Sequence, residues 1–323
     1  LPRKKPGMID PCSRGRWSFR GISLFLFLLA GLFTHREAVG QDDLEREFFQ
    51  GVAAMEKEYK DFEQAAFEKF HSEVRAMWQD FTVSTEKDWV EYSEDLTGRS
   101  RVDFETGEVE VEVLVPQAQA EQNPKASAER LTREIERLVE DRGKVRDYPL
   151  PAAPPVEEPG PAPRKKIPPP PLLPGPVLAG QLQTRTGQPV RGENKKEFAR
   201  EIVEAGPVKE AVLATEKGNL VKARVAFSLV PDHLRIRGER YLASVRKESG
   251  RFDISVPLAF AAIHTESYFN PKATSPAPAY GLMQLVPRSG ARDASRFVYG
   301  QDRILPPDYL YLPRNNVELG CGY

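Results

Sequence analysis

The sequence predicts an α+β protein, in which an N-terminal helix-plus-hairpin module precedes a mainly α-helical C-terminal domain. Apolar residues across 41–89 recur at alternating spacings of three and four, which predicts one long amphipathic helix. Within 101–115, valine alternates with glutamate after a Glu-Thr-Gly turn, a pattern that is typical of a β-hairpin. Residues 252–270 then return to helical spacing.

Other segments of the N-terminal module carry the same two signals. Helical spacing recurs over 125–142 and 194–205, whereas 211–215 and 220–230 flank a Glu-Lys-Gly-Asn turn and predict a second hairpin. The glutamates of the first hairpin are predicted to form a solvated face, because charged side chains are mostly exposed.

A proline-rich stretch, residues 149–176, interrupts this module. Such a stretch has few backbone donors and favours extended geometry, so it is predicted to be a stiff, solvated spacer outside the core. It divides the module into 41–148 and 177–230, and the C-terminal domain then occupies 231–323.

The C-terminal domain is predicted to begin with a helix over 232–250, with Gly250 as its C-cap. The basic residues of this helix, Arg237 among them, are predicted to be solvated. Residues 293–323 are rich in Pro, Asp and Tyr and are interpreted as loop, with a short helix starting near Asn315 or Asn316.

Residues 1–40 have the features of a secretory signal peptide. Arginines precede an apolar run over 22–33 that is too short to span a bilayer comfortably, and residues 38–40 (Ala-Val-Gly) have the form of a cleavage site. An uncleaved anchor is the alternative. No cysteine stands directly after the apolar run, so a lipid anchor is not predicted. We expect a protein of the periplasm or cell envelope that meets the membrane only through its signal peptide, with Met8 as a candidate start.

Composition narrows the function classes. The formal net charge of -1 gives no electrostatic case for a nucleic-acid partner. Cys12 and Cys321 are the only cysteines, which excludes a disulfide framework and a cysteine metal site. The four histidines are scattered without metal-ligand spacing. No metal and no organic cofactor is therefore implied.

The helix predicted after Phe252 ends in an acid. Ser255 can cap this helix and Pro257 suits its first turn, whereas Asn270 stands before a proline and is expected to end the helix. Glu266 is spaced to project from the apolar face of the helix. That face consists of Leu258, Ala259, Ala262 and Ile263.

Two effects are expected to keep the Glu266 carboxyl neutral. Poor solvation disfavours the charged form, and so does the partial negative charge of a helix C-terminus. A neutral acid near neutral pH is what a glycosidase needs in order to protonate a leaving oxygen. A plain surface glutamate at a helix end is the alternative interpretation.

The residues from Glu266 onward resemble a known catalytic signature. The motif Glu-Ser-x-x-Asn-Pro over 266–271 is followed by Gly-Leu-Met-Gln over 281–284. In order and spacing this pair is similar to the signature of the lytic murein transglycosylases, which belong to the goose-type-lysozyme-like superfamily. The resemblance implies a lysozyme-like catalytic domain over 231–323.

Upstream segments resemble the membrane-bound murein transglycosylase C type of that family. The resemblance therefore covers most of the chain beyond the targeting segment. The segments that carry it are Phe227–Leu234 with Arg237 and Glu239–Tyr241, Trp89–Tyr92, and Val102–Glu105 followed by Gly107.

The resemblance implies that the substrate is the glycan strand of peptidoglycan. Members of the family cleave between N-acetylmuramic acid and N-acetylglucosamine and leave a 1,6-anhydro end, so one carboxyl can act first as acid and then as base. On this basis Glu266 is the catalytic acid/base, and Ser267 orients it or the sugar. Gly281, Met283 and Gln284 would line the cleft, although plain structural roles stay open for Ser267 and Met283.

Some residues depart from the family pattern. Residues 275–280 carry two prolines where relatives more often carry a glycine, and 287–290 follow the usual Pro-x-Thr-Ala only loosely. The Ala-Tyr-Asn element that closes the cleft in this family is absent from the sequence. We therefore expect the chain as given to be truncated at its C-terminus and inactive by itself.

Two alternatives to a lytic enzyme stay open. One is a hydrolytic, goose-type lysozyme in which Asp293 or Asp302 activates a water. The other is an inactive peptidoglycan-binding or scaffold protein in which Glu266 is a relic. In each case peptidoglycan is the expected partner, and cell-envelope proteins are further candidate partners of the N-terminal module.

Overall fold

The computed structural model describes residues 41–145, 171–206 and 208–323. The predicted signal peptide and most of the predicted proline-rich spacer lie outside the described residues. The chain divides into two compact units, Leu1–Phe62 and Glu63–Tyr323. Of the first unit the structure describes the start of a helix, and every contact discussed below lies within the second unit.

The described residues form helices and strands, which confirms the predicted α+β class. The helices are α1 (Gln41–Trp78), α2 (Gln117–Gln122), α3 (Ala126–Glu140), α4 (Lys195–Ala205), α5 (His233–Glu239), α6 (Leu242–Phe252), α7 (Val256–Ser267), α8 (Gly290–Tyr299), α9 (Pro307–Tyr311) and α10 (Pro313–Gly322). The strands are β1 (Asp88–Tyr92), β2 (Gly98–Asp103), β3 (Glu108–Pro116), β4 (Lys209–Thr215) and β5 (Gly218–Ser228). None of the described helices is long and apolar enough to cross a membrane.

The five strands form one antiparallel sheet in the order β1-β2-β3-β5-β4. Both predicted hairpins are confirmed, as β2 with β3 and as β4 with β5. The two hairpins join because β3 pairs with β5, and Val111 lies opposite Val225 in that register. The sheet therefore unites strands from both sides of the proline-rich stretch.

The two faces of the sheet bury different residues. One face presents the alternating valines of β3 to a core that α3 and α4 complete, with Leu131, Ile135 and Phe198 buried there. The other face packs against the last turns of α1, where Val74 and Trp78 are buried. The long predicted helix thus ends at Trp78 and not near Trp89, because Gln79 adopts a left-handed φ of 64°.

The glutamates of β3 correct the prediction of a solvated face. Glu108 is exposed, but Glu112 is only 4% exposed. Its Oε2 accepts from Arg99 Nη2 at 2.5 Å, and its Oε1 lies 3.1 Å from Lys222 Nζ. A charge can be buried here because Arg99, directly opposite on β2, and Lys222, on β5, supply opposite charges.

The end of the predicted spacer also differs from expectation. Leu172 and Leu173 are buried in the core on the α3 side of the sheet. Their N–H groups donate to the carbonyls of Gly143 and Arg142, each at 3.0 Å. Residues 171–176 therefore do not belong to a solvated spacer. Two of their backbone N–H groups bond to the residues that follow α3, and both leucine side chains are buried in the core.

The C-terminal helices correct two more predictions. The helix predicted over 232–250 is two helices, α5 and α6, and α6 runs past Gly250 to a left-handed cap at Asp253 with φ 55°. The part of 293–323 interpreted as loop contains most of α8 and all of α9, whereas the short helix predicted near Asn315 or Asn316 is confirmed as α10, which starts earlier, at Pro313. Proline misled the interpretation, since Pro307 and Pro313 stand at the first turns of α9 and α10, where a missing N–H costs nothing.

Arg237, predicted to be solvated, is 1% exposed. Its guanidinium donates to the carbonyls of Phe104 at 2.7 Å and Tyr268 at 3.0 Å, and to Gln181 Oε1 at 2.6 Å. Burial lowers the pKa of Arg237 to about 9. This arginine connects α5 to the turn after β2 and to the end of α7.

Candidate active site around Glu266

Helix α7 places Glu266 in its last turn. The helix starts as predicted, since Ser255 Oγ accepts from the N–H of Leu258 at 3.3 Å and Pro257 lies in the first turn. Ala259 and Ile263 face the core, but Leu258 is 62% exposed and does not belong to the buried face. Two of the predicted face residues therefore hold the helix against its neighbours.

The helix ends earlier than the Asn-Pro pair predicted. Tyr268 and Phe269 adopt left-handed conformations with φ of 48° and 62°, and the N–H of Tyr268 donates to the carbonyl of His264 at 3.0 Å. Glu266 therefore lies one residue before Ser267, the last residue of the helix.

The Glu266 side chain is exposed. This corrects the expectation of a poorly solvated carboxyl. Among residues 41–145, 171–206 and 208–323, no hydrogen bond or ion pair engages its carboxylate. Both oxygens are free to meet a ligand.

Glu266 opens into a cavity of about 300 Å³. Met283 and Gln284, two of the predicted cleft residues, line it together with Glu266. Glu266 has the one acidic side chain among the lining residues. The remaining lining residues are Ala262, Leu285, Val286, Ser289, Gly290, Gly320 and Tyr323.

Asn316 holds the wall formed by residues 280–285. This side chain is fully buried, and its Oδ1 accepts from the N–H of Met283 at 2.7 Å. Its Nδ2 lies 2.8 Å from each of the carbonyls of Tyr280 and Leu310. Sequence reasoning placed Asn316 at the start of a short helix but missed its role in the site; a polar residue in an apolar stripe after Pro313 was the available signal.

Gly281 shapes this wall from behind. It has a φ of 77°, and a Cβ there would lie 2.4 Å from the carbonyl oxygen of Leu310 and 2.5 Å from Asn316 Nδ2. Gly281 is buried and does not line the cavity. Only glycine combines this backbone conformation with so close an approach.

Two backbone carbonyls fix the side-chain amide of Gln284. Its φ is 44°, and its Nε2 donates to the carbonyls of Gly281 at 2.9 Å and Ala273 at 3.1 Å. Its Oε1 has no hydrogen-bond partner among the described residues. The amide nitrogen of the side chain is therefore in use, and its oxygen is buried.

Ser267 corrects a predicted role. Its side chain is fully buried, with Oγ 2.9 Å from the carbonyl of Ile263 and 2.8 Å from that of Leu282. A hydroxyl in this position does not face the cleft and contacts neither Glu266 nor a sugar. It joins the last turn of α7 to the wall that carries Met283.

The aspartates weighed for a hydrolytic mechanism lie elsewhere. Neither Asp293 nor Asp302 lines the cavity of Glu266. Asp302 is bound by Arg292 at 2.5 Å and Arg296 at 2.8 Å, and hydrogen bonds from these two guanidinium groups hold its pKa well below the usual range. A carboxylate so engaged is a weak base.

Comparison with known families matches both parts of the chain. Residues 243–323 match the transglycosylase SLT domain, and residues 55–132 match the N-terminal domain of membrane-bound lytic murein transglycosylase C. The first match contains Glu266 and the whole lining of its cavity.

Curated proteins named membrane-bound lytic murein transglycosylase C agree with this assignment. The protein of Salmonella arizonae is 27% identical over 257 residues, which cover 79% of this chain and 64% of that protein. The protein of Sodalis glossinidius is 28% identical over 261 residues, which cover 79% of this chain and 65% of that protein. The aligned part thus spans less than two thirds of these relatives. Both matched parts of the chain are therefore similar to the membrane-bound lytic murein transglycosylase C type, with the SLT-domain match over residues 243–323.

Proposed function

We propose that this protein is a lytic transglycosylase that cleaves the bond between N-acetylmuramic acid and N-acetylglucosamine in peptidoglycan and leaves a 1,6-anhydro end. The observation that supports this most directly is Glu266, an unpaired carboxylate in a cavity with no other acidic side chain in its lining, inside the stretch that matches the SLT domain. The names of the relatives agree with the same activity.

One carboxyl is enough for this reaction. Glu266 protonates the glycosidic oxygen as the bond breaks, and its carboxylate then takes the proton of the sugar's own C6 hydroxyl as that oxygen attacks the anomeric carbon. The N-acetyl group of the substrate stabilises the positive anomeric centre. A glycan in the cavity would exclude water from the carboxyl, and a dry environment favours the neutral acid that the first step needs.

The walls of the cavity supply binding. Met283 provides an apolar surface for a sugar face, and Gln284 lines the cavity beside it with its amide fixed to the backbone. Gly281 and Ser267 act indirectly, because they shape and fasten the wall. We place the protein in the periplasm or cell envelope, where its glycan substrate lies.

The test is digestion of purified peptidoglycan by the protein, with any residues that its reading frame adds beyond Tyr323. The released muropeptides are identified by mass spectrometry for wild type, Glu266→Gln and Glu197→Gln. Glu197 is an exposed glutamate on α4 and is the matched control. We expect anhydro-muropeptides from wild type and the control, and a loss on the order of 10²- to 10⁴-fold in the Glu266 variant.

Other products would point elsewhere. Reducing-end muropeptides would indicate hydrolysis with a water nucleophile and would contradict the lytic mechanism. Glycan binding without products, unchanged in Glu266→Gln, would indicate the binding or scaffold protein.

A further inference from the structure

We infer that Glu91, in strand β1 of the N-terminal module, is a positioning residue for the Glu266 cavity, acting through Lys272 and the carbonyl of Ala273. This inference rests on the proposed function for its effect on turnover. The structural part concerns the segment 268–274, which leaves α7 and crosses to the sheet.

The first step is a buried ion pair. Lys272 Nζ lies 3.0 Å from Glu91 Oε1, and the two side chains are 4% and 1% exposed. Trp89 Nε1 donates to the same oxygen at 3.3 Å. A buried charge without a partner is strongly unfavourable, so this pair fixes where residue 272 can lie.

Asn270 fixes the same segment two residues earlier. It is fully buried, and its Nδ2 lies 3.1 Å from each of the carbonyls of Thr85 and Asp88, at the start of β1. Its Oδ1 accepts from the N–H of Lys272 at 3.0 Å. The residue thus satisfies backbone groups of the sheet and of the crossing segment together.

The next residue meets the cavity wall. The carbonyl of Ala273 accepts from the N–H of Gly281 at 2.9 Å and from Gln284 Nε2 at 3.1 Å. These two hydrogen bonds set the turn that presents Met283 and Gln284 beside Glu266. A shift of residue 272 therefore moves an acceptor on which the orientation of Gln284 depends.

The N-terminal module thereby acquires a defined role. Nothing in its sheet lines the cavity of Glu266, yet Glu91 sets the backbone on which one cavity wall rests. Small displacements of positioning groups can reduce turnover on the order of 100-fold. We expect the loss to fall on kcat more than on KM, because the lining side chains are kept.

The test compares Glu91→Gln with Glu112→Gln. Glu112 is the matched control: it is also a buried glutamate of the sheet, paired with Arg99 and Lys222, but it lies on the face that packs against α1. Two readouts are taken at a temperature where both variants are folded by circular dichroism. They are kcat and KM on peptidoglycan, and hydrogen exchange of the backbone amides of residues 273–285.

We expect Glu91→Gln to lower kcat on the order of 10- to 100-fold and to speed exchange across 273–285, with neither change in Glu112→Gln. Equal kcat values and equal exchange in the two variants would overturn the inference. If wild type yields no product, the proposed function fails, and exchange alone decides the inference: faster exchange in Glu91→Gln supports it and equal exchange overturns it.

A variant that fails to fold does not end the test. Lys272→Met keeps the length of the side chain and leaves a buried carboxyl, which can become neutral by taking up a proton. It replaces Glu91→Gln in the same comparison, with the same two readouts and the same contradicting outcome. Restored exchange rates in the double variant Glu91→Gln, Lys272→Met would further assign the effect to the ion pair.

Discussion

The sheet and the cavity place their carboxylates in opposite surroundings. In the sheet, Glu91 and Glu112 are buried and paired with basic side chains. In the cavity, Glu266 is exposed and unpaired, and the wall beside it is held by neutral hydrogen bonds from Asn316 and Ser267.

The difference shows that one chain can use some carboxylates to stabilise its fold and leave another unpaired in a well-ordered cavity. A carboxylate that stabilises a fold is committed to its partners and cannot move a proton without leaving a buried charge alone. A carboxylate that must react has to keep its partners away, so the surrounding frame needs other means of support. Amide and hydroxyl groups provide that support without changing the charge of the site.

The largest effect is expected at a buried, paired carboxylate of the sheet. Glu112→Ala leaves Arg99 and Lys222 without the carboxylate between them, and we expect the free energy of unfolding to fall by about 3–4 kcal/mol. Urea unfolding followed by circular dichroism measures the change. Glu108→Ala is the control, because Glu108 is an exposed glutamate of the same strand. Equal losses in the two variants would contradict the distinction between buried and exposed carboxylates.

A smaller effect is expected in the cavity wall formed by residues 280–285, which neutral hydrogen bonds hold in place. Gly281→Ala combines an unfavourable φ with a clash against the carbonyl of Leu310, and we expect a loss of about 2–3 kcal/mol and a drop in turnover. Gly187→Ala is the matched control, since its φ is 79° but a Cβ there meets no atom within 4 Å. Urea unfolding of the two variants separates strain from close approach. Equal losses of stability in the two variants would show that the close contact between Gly281 and Leu310 does not matter for the cavity wall.

The smallest effect is expected at Glu266, the proposed catalytic carboxylate. Glu266 is exposed and makes no contact of its own with a charged group among the described residues. Glu266→Gln should therefore change the free energy of unfolding by less than about 0.5 kcal/mol, although activity is lost. Thermal unfolding of the purified variant checks this. A large destabilisation would mean that the glutamate has a structural role and would weaken the comparison.

Local pattern was enough to predict several elements. The valine alternation of β3 and the turn before β5 identified both hairpins, and Ser255 with Pro257 located the start of α7. Each of these signals lies within a few residues of the element that it predicts. Glu266 and its neighbours Met283 and Gln284 were found through the resemblance to a family, and the structure gathers them around one cavity.

Local sequence patterns could not predict contacts between residues far apart in the chain. The pairing of β3 with β5, the burial of Glu112 and the contacts of Arg237 each depend on residues far away in the chain. Composition also misled the prediction of the last helices, because proline at a helix start and proline in a loop look alike in sequence. Asn316 was missed because its hydrogen bonds to Met283 and Tyr280 join segments that are far apart in the chain.

The central pairing of β3 with β5 has a consequence for how the protein is made. Residues 117–217 lie between the two strands, so the sheet cannot close until β5 has left the ribosome. Pairing over so long a separation is expected to be slow, because the entropy of closing the loop is lost before the stabilising contacts between the strands form. Once closed, however, the loop tolerates changes in length, because doubling it costs only about 0.6 kcal/mol.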